Sequence, residues 1–250
     1  MKISIYNLII EATRRCNIQC KHCLRGRAQN KNIKIKYVDS LFSKIDHISV
    51  LTISGGEPSI AIDSINKIID SATENNVEIG NFYVATNGKR ITFPFVKAIE
   101  RLYNYCNNND ISGVNISNDI FHDEQDDTDA FNYLLTFPYV SYKWTRYTTS
   151  YEKFDEKGRF IYGGNGIINS GLALENGIGE RNIAKQFIEI APEEDNFVIN
   201  EGDIYLNCNG NIILGCDYSY EDQDSFEFEN LICKVDDFSV ETIKRFMETY

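Results

Sequence analysis

The sequence predicts an α/β protein built on a parallel sheet, either open or curled into a barrel, and three observations predict it. Short β-branched runs alternate with segments whose apolar residues recur at helical spacing. Polar, chemistry-bearing residues follow the ends of successive runs, and 42% hydrophobic residues over 250 positions provide for a sizeable core. Residues 4–11 (SIYNLIIE) are mostly apolar and read as a buried first strand. Val38, Leu41, Phe42 and Ile45 follow at i, i+3, i+4 and i+7, one face of a helix. Residues 47–54 (HISVLTIS) have the β-branched enrichment of a second buried strand, broken by Gly55-Gly56-Glu57-Pro58. A second helical pattern runs through Ile62, Ile65, Ile68, Ile69 and Ala72.

The rhythm continues. Residues 81–86 (NFYVAT) read as a strand ending at Asn87-Gly88, and a helix starts near Pro94, whose fixed φ suits the first helical position. A strand at 111–118, an acidic stretch, a short helix at 130–135 and a strand at 139–147 come next. After this the alternation stops. Residues 202–220 hold two apolar runs around Asn209-Gly210, a strong hairpin signal, and 238–250 read as a closing helix. The expected organisation is a barrel unit over 1–195 and a hairpin-and-helix appendage over 196–250. A two-residue turn at Asn209-Gly210 would pair Cys208 with Asn211 and Cys216 with Asp203, setting the two thiols on opposite faces.

Composition excludes several functions. The formal net charge of −12 opposes neutralisation of nucleic-acid phosphates, so no nucleic acid is expected as a partner. The N-terminal apolar stretch is too short and interrupted for a secretory segment, and no window approaches 18 apolar residues, which predicts a cytoplasmic protein without membrane attachment.

Seven cysteines are an odd number, and Cys16, Cys20 and Cys23 fall within eight residues. Cytosolic thiols stay reduced, so this crowding reads as metal or cofactor ligation before it reads as disulfide pairing. A structural zinc site would need a fourth ligand, from His22 or from far away, whereas iron–sulfur clusters are held by thiolates at such spacings. Three thiolates on a [4Fe–4S] cluster leave one iron open to a ligand.

Cys16-Asn17-Ile18-Gln19-Cys20-Lys21-His22-Cys23 resembles the CX3CX2C signature of the radical S-adenosylmethionine (radical SAM) superfamily, and its place after a first strand matches that family's partial (β/α)6 TIM-like barrel. Gly55-Gly56-Glu57-Pro58 is similar to the family's GGEP motif, Thr86-Asn87-Gly88 to its TNG, and Asn115-Ile116-Ser117-Asn118-Asp119 to its Ser-x-Asp segment. The resemblance implies that Cys16, Cys20 and Cys23 ligate three irons while the fourth binds S-adenosyl-L-methionine. Reductive cleavage would yield methionine and a 5′-deoxyadenosyl radical that abstracts hydrogen from a substrate. On this reading Gly55 and Gly56 let the backbone approach the ligand closely. Glu57, followed by Pro58, holds the methionine ammonium. Thr86 and Asn87 line the cofactor, and Ser117 and Asp119 meet its carboxylate and ribose. Arg146, on the fifth strand, is a candidate for the cofactor carboxylate or a surface cation.

The resemblance also implies a reductant such as flavodoxin or ferredoxin. The C-terminal hairpin is similar to SPASM and twitch appendages, which carry auxiliary clusters in peptide-modifying relatives, so a peptide or protein side chain is the first expectation for substrate. Five residues, not four, separate Gly210 from Cys216, and Cys208, Cys216 and Cys233 with Cys106 are too few for a full SPASM set. A second iron–sulfur cluster therefore stays open, with Cys106 read as a core residue. Other readings are a small-molecule or nucleotide radical SAM enzyme, or an activase of glycyl-radical enzymes, although Leu24-Arg25-Gly26 replaces the Asn-Pro common after the motif there. A non-catalytic iron–sulfur or zinc module explains the cysteines but not Gly55-Gly56-Glu57-Pro58. The acidic run 119–129 reads as a solvated loop rather than a cation site, His122 within it as simply hydrogen-bonded, and Gly163-Gly164-Asn165-Gly166 as a turn at the barrel mouth.

Overall fold

The computed structural model describes residues 2–122, 127–141, 153–157, 159–161, 166–193 and 196–250. The first part of the chain alternates strand and helix: β1 (Ile3–Thr13), α1 (Ile35–Phe42), β2 (Ile45–Gly55), α2 (Ile62–Asn75), β3 (Glu78–Thr86), α3 (Phe93–Tyr105), β4 (Gly113–Ile116), α4 (Asp129–Leu134) and β5 (Val140–Ser141). A short ribbon, β6 (Lys153–Phe154) with β7 (Phe160–Ile161), and α5 (Gly171–Glu175) follow. The remainder is β8 (Glu189–Glu193), β9 (Asn196–Leu206), β10 (Asn211–Leu214), α6 (Tyr220–Asp224), β11 (Leu231–Lys234) and α7 (Val240–Thr249). The α/β class expected from the alternation is what the chain forms.

The sheet order is β11-β10-β9-β1-β2-β3-β4-β5, with β8 paired to β9. Strands β9, β1, β2, β3, β4 and β5 run parallel to one another in that order, while β8 and β10 pair antiparallel with β9 and β11 antiparallel with β10. β1 lies inside the sheet with residues 8–13 buried on both faces, which is why Leu8, Ile9 and Ile10 read as a continuous apolar run rather than an alternation, while Tyr6 in its first half is exposed. Ile5, Leu8 and Ile10 join the main core with Phe42, Ile65, Phe82 and Phe95, while Ile9 joins a smaller cluster with Tyr205, Ile213 and Tyr218.

Two local expectations shift. Ile45 is not the last turn of α1: the helix ends at Phe42 and Ile45 opens β2, its side chain spent on the sheet core. At α3 the Thr92 hydroxyl caps the helix by accepting from the Phe95 N–H, so Pro94 takes the second position. Such a cap contributes about 1 kcal/mol.

The hairpin at Asn209-Gly210 forms, but one residue out of the expected register. Leu206 pairs with Ile212 and Tyr205 with Ile213, and the Asn207 N–H donates to the Asn211 carbonyl. The turn is therefore the three residues Cys208-Asn209-Gly210, with Gly210 at φ 75°. That is the left-handed geometry a three-residue hairpin requires of its last residue. Cys208 sits in the main core and Cys216 packs against the smaller cluster. Beyond residue 195 the strands continue the same sheet, since β9 lies parallel beside β1.

The glycine pair after β2 closes against the chain's own backbone. A Cβ on Gly55 would stand 2.2 Å from the Thr13 carbonyl oxygen, and one on Gly56 would stand 2.3 Å from that of Arg15. The Gly56 and Glu57 N–H groups donate to these same two carbonyls at 2.8 Å. Both glycines are thus required to seat the end of β2 against the residues leading into Cys16. Gly56→Ala is expected to cost about 1–3 kcal/mol in urea unfolding, because the obstructing atoms are backbone and cannot rotate away.

Candidate functional site

Four successive strand ends meet at one cavity of about 520 Å³. Its lining includes Cys16, Cys20 and Cys23 after β1, Gly55, Gly56 and Glu57 after β2, Thr86 and Asn87 at the end of β3, and Ser117 and Asp119 after β4. This is the carboxyl edge of the parallel strands, where folds of this kind collect their ligands. Arg146 and residues 163–165 lie outside the described residues, while Gly166 lines the cavity.

The cysteine loop is held from three sides. The Leu172 N–H donates to the Cys23 carbonyl and the Asn176 amide to that of Lys21, so α5 docks on the loop. Gly171, at φ 53°, allows that approach, since a Cβ there would meet the Leu24 carbonyl oxygen at 2.3 Å. Asn87 Nδ2 donates to Asn17 Oδ1 at 2.9 Å and lies 3.9 Å from Cys16 Sγ. All three thiols are half-buried and face the cavity, and burial pushes the Cys16 thiol up from its ordinary value.

Glu57 is buried and connects the second and third strand ends. Its Oε1 accepts from the Ser59 N–H at 2.8 Å and the Thr86 hydroxyl at 2.6 Å, and its Oε2 accepts from the Asn87 N–H at 2.8 Å. Burial pushes the carboxyl upward against the opposing pull of these donors. Thr86 and Asn87 are likewise tied inward, Asn87 Oδ1 accepting from the Lys89 N–H and Thr86 Oγ1 from the Gly88 N–H. Pro58 is buried at the start of the one-turn helix that Glu57 caps.

Behind the loop lies a polar network that the sequence reading missed. Arg14 is fully buried. Its Nε donates to Glu11 Oε2 at 2.8 Å, and Nη1 and Nη2 grip the two oxygens of Asp224 at 2.8 and 2.9 Å. Glu11 also accepts from the Tyr205 hydroxyl and the Cys208 N–H. The Arg14 guanidinium stacks on the Tyr220 ring at 4.5 Å, and the Tyr220 N–H donates to the Arg25 carbonyl. Through these contacts α6 forms a wall of the cavity, contributing Tyr220, with Asp217 from the segment just before it, beside Arg25 and Arg181. No pattern in the sequence links residue 14 to residue 224.

The C-terminal thiols are not gathered toward a common centre. Cys208 Sγ donates to the Glu11 carbonyl in the main core, Cys233 packs against that core from β11, and Cys216 lies by the carboxylates of Asp203 and Asp217. Cys106 is buried, as expected for a core residue. Burial pushes the Cys106 and Cys233 thiols up to about 12, and drives those of Cys208 and Cys216 further in the same direction. In iron-free protein, alkylation by iodoacetamide followed by peptide mass spectrometry should modify Cys20 and Cys23 roughly tenfold or more faster than Cys106 and Cys208.

His22 and His122 both line the cavity. The structure brings both to Asp119, with His122 Nδ1 at 2.8 Å and His22 Nε2 at 3.9 Å from Asp119 Oδ2. A carboxylate partner for His122 agrees with the hydrogen-bonded histidine that the sequence suggests, whereas the first residue of the acidic run differs from the solvated loop expected there, and residues 123–126 of that run lie outside the described residues. Asp119 is instead buried at the cavity wall.

No protein-family model matches the chain. An uncharacterized protein of Methanocaldococcus jannaschii, MJ0907, is 29% identical over 102 residues, which are 38% of this chain and 35% of that protein, so the match spans about a third of the relative's length. Among solved structures, native anSMEcpe with bound AdoMet and Cp18Cys peptide superposes with a TM-score of 0.53 at 10% identity, over 96% of this chain and 80% of that one. Streptococcus suis SuiB bound to the precursor peptide SuiA matches 46% of this chain and 25% of its own, at 17% identity and a TM-score of 0.34. The likeness to anSMEcpe is one of fold, and the chain has the mixed α/β, partial TIM-like architecture with a C-terminal hairpin and helix. No helix among the described residues is long and apolar enough to cross a membrane.

Proposed function

We propose that this chain is a radical SAM enzyme that acts on a peptide or protein side chain. The observation that carries the reading is the convergence of CX3CX2C, GGEP, TNG and the Ser-x-Asp segment on one cavity at four successive strand ends. The fold shared with a protein that binds AdoMet and a peptide supports it. The donor set suits the cofactors: three half-buried thiols face a cavity that also presents a carboxylate and several amide and hydroxyl groups.

Cys16, Cys20 and Cys23 would hold three irons of a [4Fe–4S] cluster, with no fourth protein thiol beside them in the described cavity lining. When bound, the cluster supplies the electron that cleaves S-adenosyl-L-methionine into methionine and a 5′-deoxyadenosyl radical, which takes a hydrogen atom from the substrate. The remaining work belongs to the chain. Asn87 positions the cysteine loop through Asn17. Glu57 fixes the Thr86-Asn87 turn through its buried carboxylate, and its segment, which lines the cavity, would stand beside the methionine ammonium. Ser117, also in the cavity lining, would meet the ribose or carboxylate, and α5 and α6 exclude water by covering the loop.

Anaerobic reconstitution with iron and sulfide, reduction, and addition of S-adenosyl-L-methionine test this. The expected result is 5′-deoxyadenosine and about four irons per chain. Zinc in place of iron, or no cleavage with any reductant, would overturn it, and about eight irons would restore a second cluster.

A further inference from the structure

We propose that His22, Asp119 and His122 bind a single divalent transition-metal ion, at a site that borrows His22 from the three-cysteine loop, uses no thiol and opens to the same cavity. The case is geometric. One ligand atom from each of the three residues lies within 4.8 Å of the other two. Asp119 is 1% exposed, and its two oxygens have separate duties. Oδ1 accepts from the Phe121 N–H at 2.9 Å and the His122 N–H at 3.2 Å, which fixes the carboxylate plane. Oδ2 is turned toward the two imidazoles, at 2.8 Å from His122 Nδ1 and 3.9 Å from His22 Nε2.

The rings themselves are held. His22 packs on Phe121 with centroids 4.7 Å apart and meets His122 edge-on at 5.3 Å and 75°. Metal–nitrogen bonds of about 2.0–2.1 Å place neighbouring ligand atoms about 3–3.4 Å apart. The Asp119–His122 pair, at 2.8 Å, stands slightly inside that separation and the His22–Asp119 pair, at 3.9 Å, slightly outside it, so a shift of the half-buried His22 ring toward the pair completes the set. Two imidazoles and one carboxylate select iron, cobalt or zinc over magnesium or calcium, which prefer all-oxygen shells. Three protein ligands leave further coordination positions facing the cavity. A substrate carbonyl or carboxylate oxygen is the donor such an ion would take and orient.

This inference does not rest on the proposed cofactor cleavage, and its test does not measure it. Reconstituted protein is dialysed against Co²⁺, and bound cobalt is counted by mass spectrometry and its ligands read by X-ray absorption at the cobalt edge. One cobalt per chain is expected, with a nitrogen and oxygen shell showing imidazole scattering and no sulfur. His122→Ala and the bulkier His122→Gln should each weaken cobalt binding roughly tenfold or more, with circular dichroism showing both folded. Sulfur in the cobalt shell, affinity unchanged in the two folded variants, or no cobalt retained by the wild-type protein would each overturn the proposal. In the last case the cluster is an Asp–His hydrogen-bonded pair with a neighbouring ring, and no metal site.

Discussion

Cys20→Ala is expected to abolish 5′-deoxyadenosine formation and to leave the reconstituted protein nearly free of iron. The reason is the open-sided ligand set. With three thiolates and no fourth cysteine lining the cavity among the described residues, removal of the middle one leaves two anchors, Cys16 and Cys23, too few to hold the cluster. Loss of outer-shell partners alone costs metal sites about 10–100-fold, and loss of a direct ligand should exceed that. The fold itself should survive, because Cys20 is half-buried at the cavity and absent from both hydrophobic clusters. Iron content and 5′-deoxyadenosine, each against a thermal melt, check the prediction. A Cys20→Ala protein that retains its iron and still cleaves S-adenosyl-L-methionine would remove the cysteine loop from the chemistry.

Arg14→Ala should have the largest effect on stability. Arg14 and Glu11 are both wholly buried and paired at 2.8 Å, and removing the cation leaves the Glu11 carboxylate inside with the Tyr205 hydroxyl and the Cys208 N–H as its hydrogen-bond donors among the described residues. Breaking a buried pair in this way costs about 3–5 kcal/mol. For a chain of this size that is a fall in Tm of roughly 10 °C, measurable by circular dichroism. Asp224→Asn should cost much less, because Asp224 is one-third exposed and water can replace part of the lost interaction. Arg14 also stands two residues before Cys16, and α6 is fastened through it. Iron retention should therefore fall in Arg14→Ala before global unfolding does.

The α/β rhythm was legible because each core strand and helix carries its own periodicity: Val38, Leu41 and Phe42 on one helical face, and the continuous apolar run of β1 between two partners. The candidate site was legible for a related reason. Its residues fall at the ends of consecutive strands, so short motifs in the chain are already neighbours in space once the sheet is parallel. The register of the C-terminal hairpin was less legible, since an Asn-Gly pair admits both two- and three-residue turns and only the pairing of β9 with β1 selects between them. His22 and His122 look isolated because 100 residues separate them.

The sequence by itself determined the fold class, the three-thiol loop and the set of strand ends that surround it, since these depend on local periodicity and short-range spacing. Only the tertiary structure decided what stands behind and beside that set. Arg14 reaching Asp224, Gly55 and Gly56 seated on the backbone before Cys16, and two histidines turned to Asp119 all depend on close approach between segments far apart in the chain. Such contacts follow from the packing of the whole sheet, and no local run of residues encodes them.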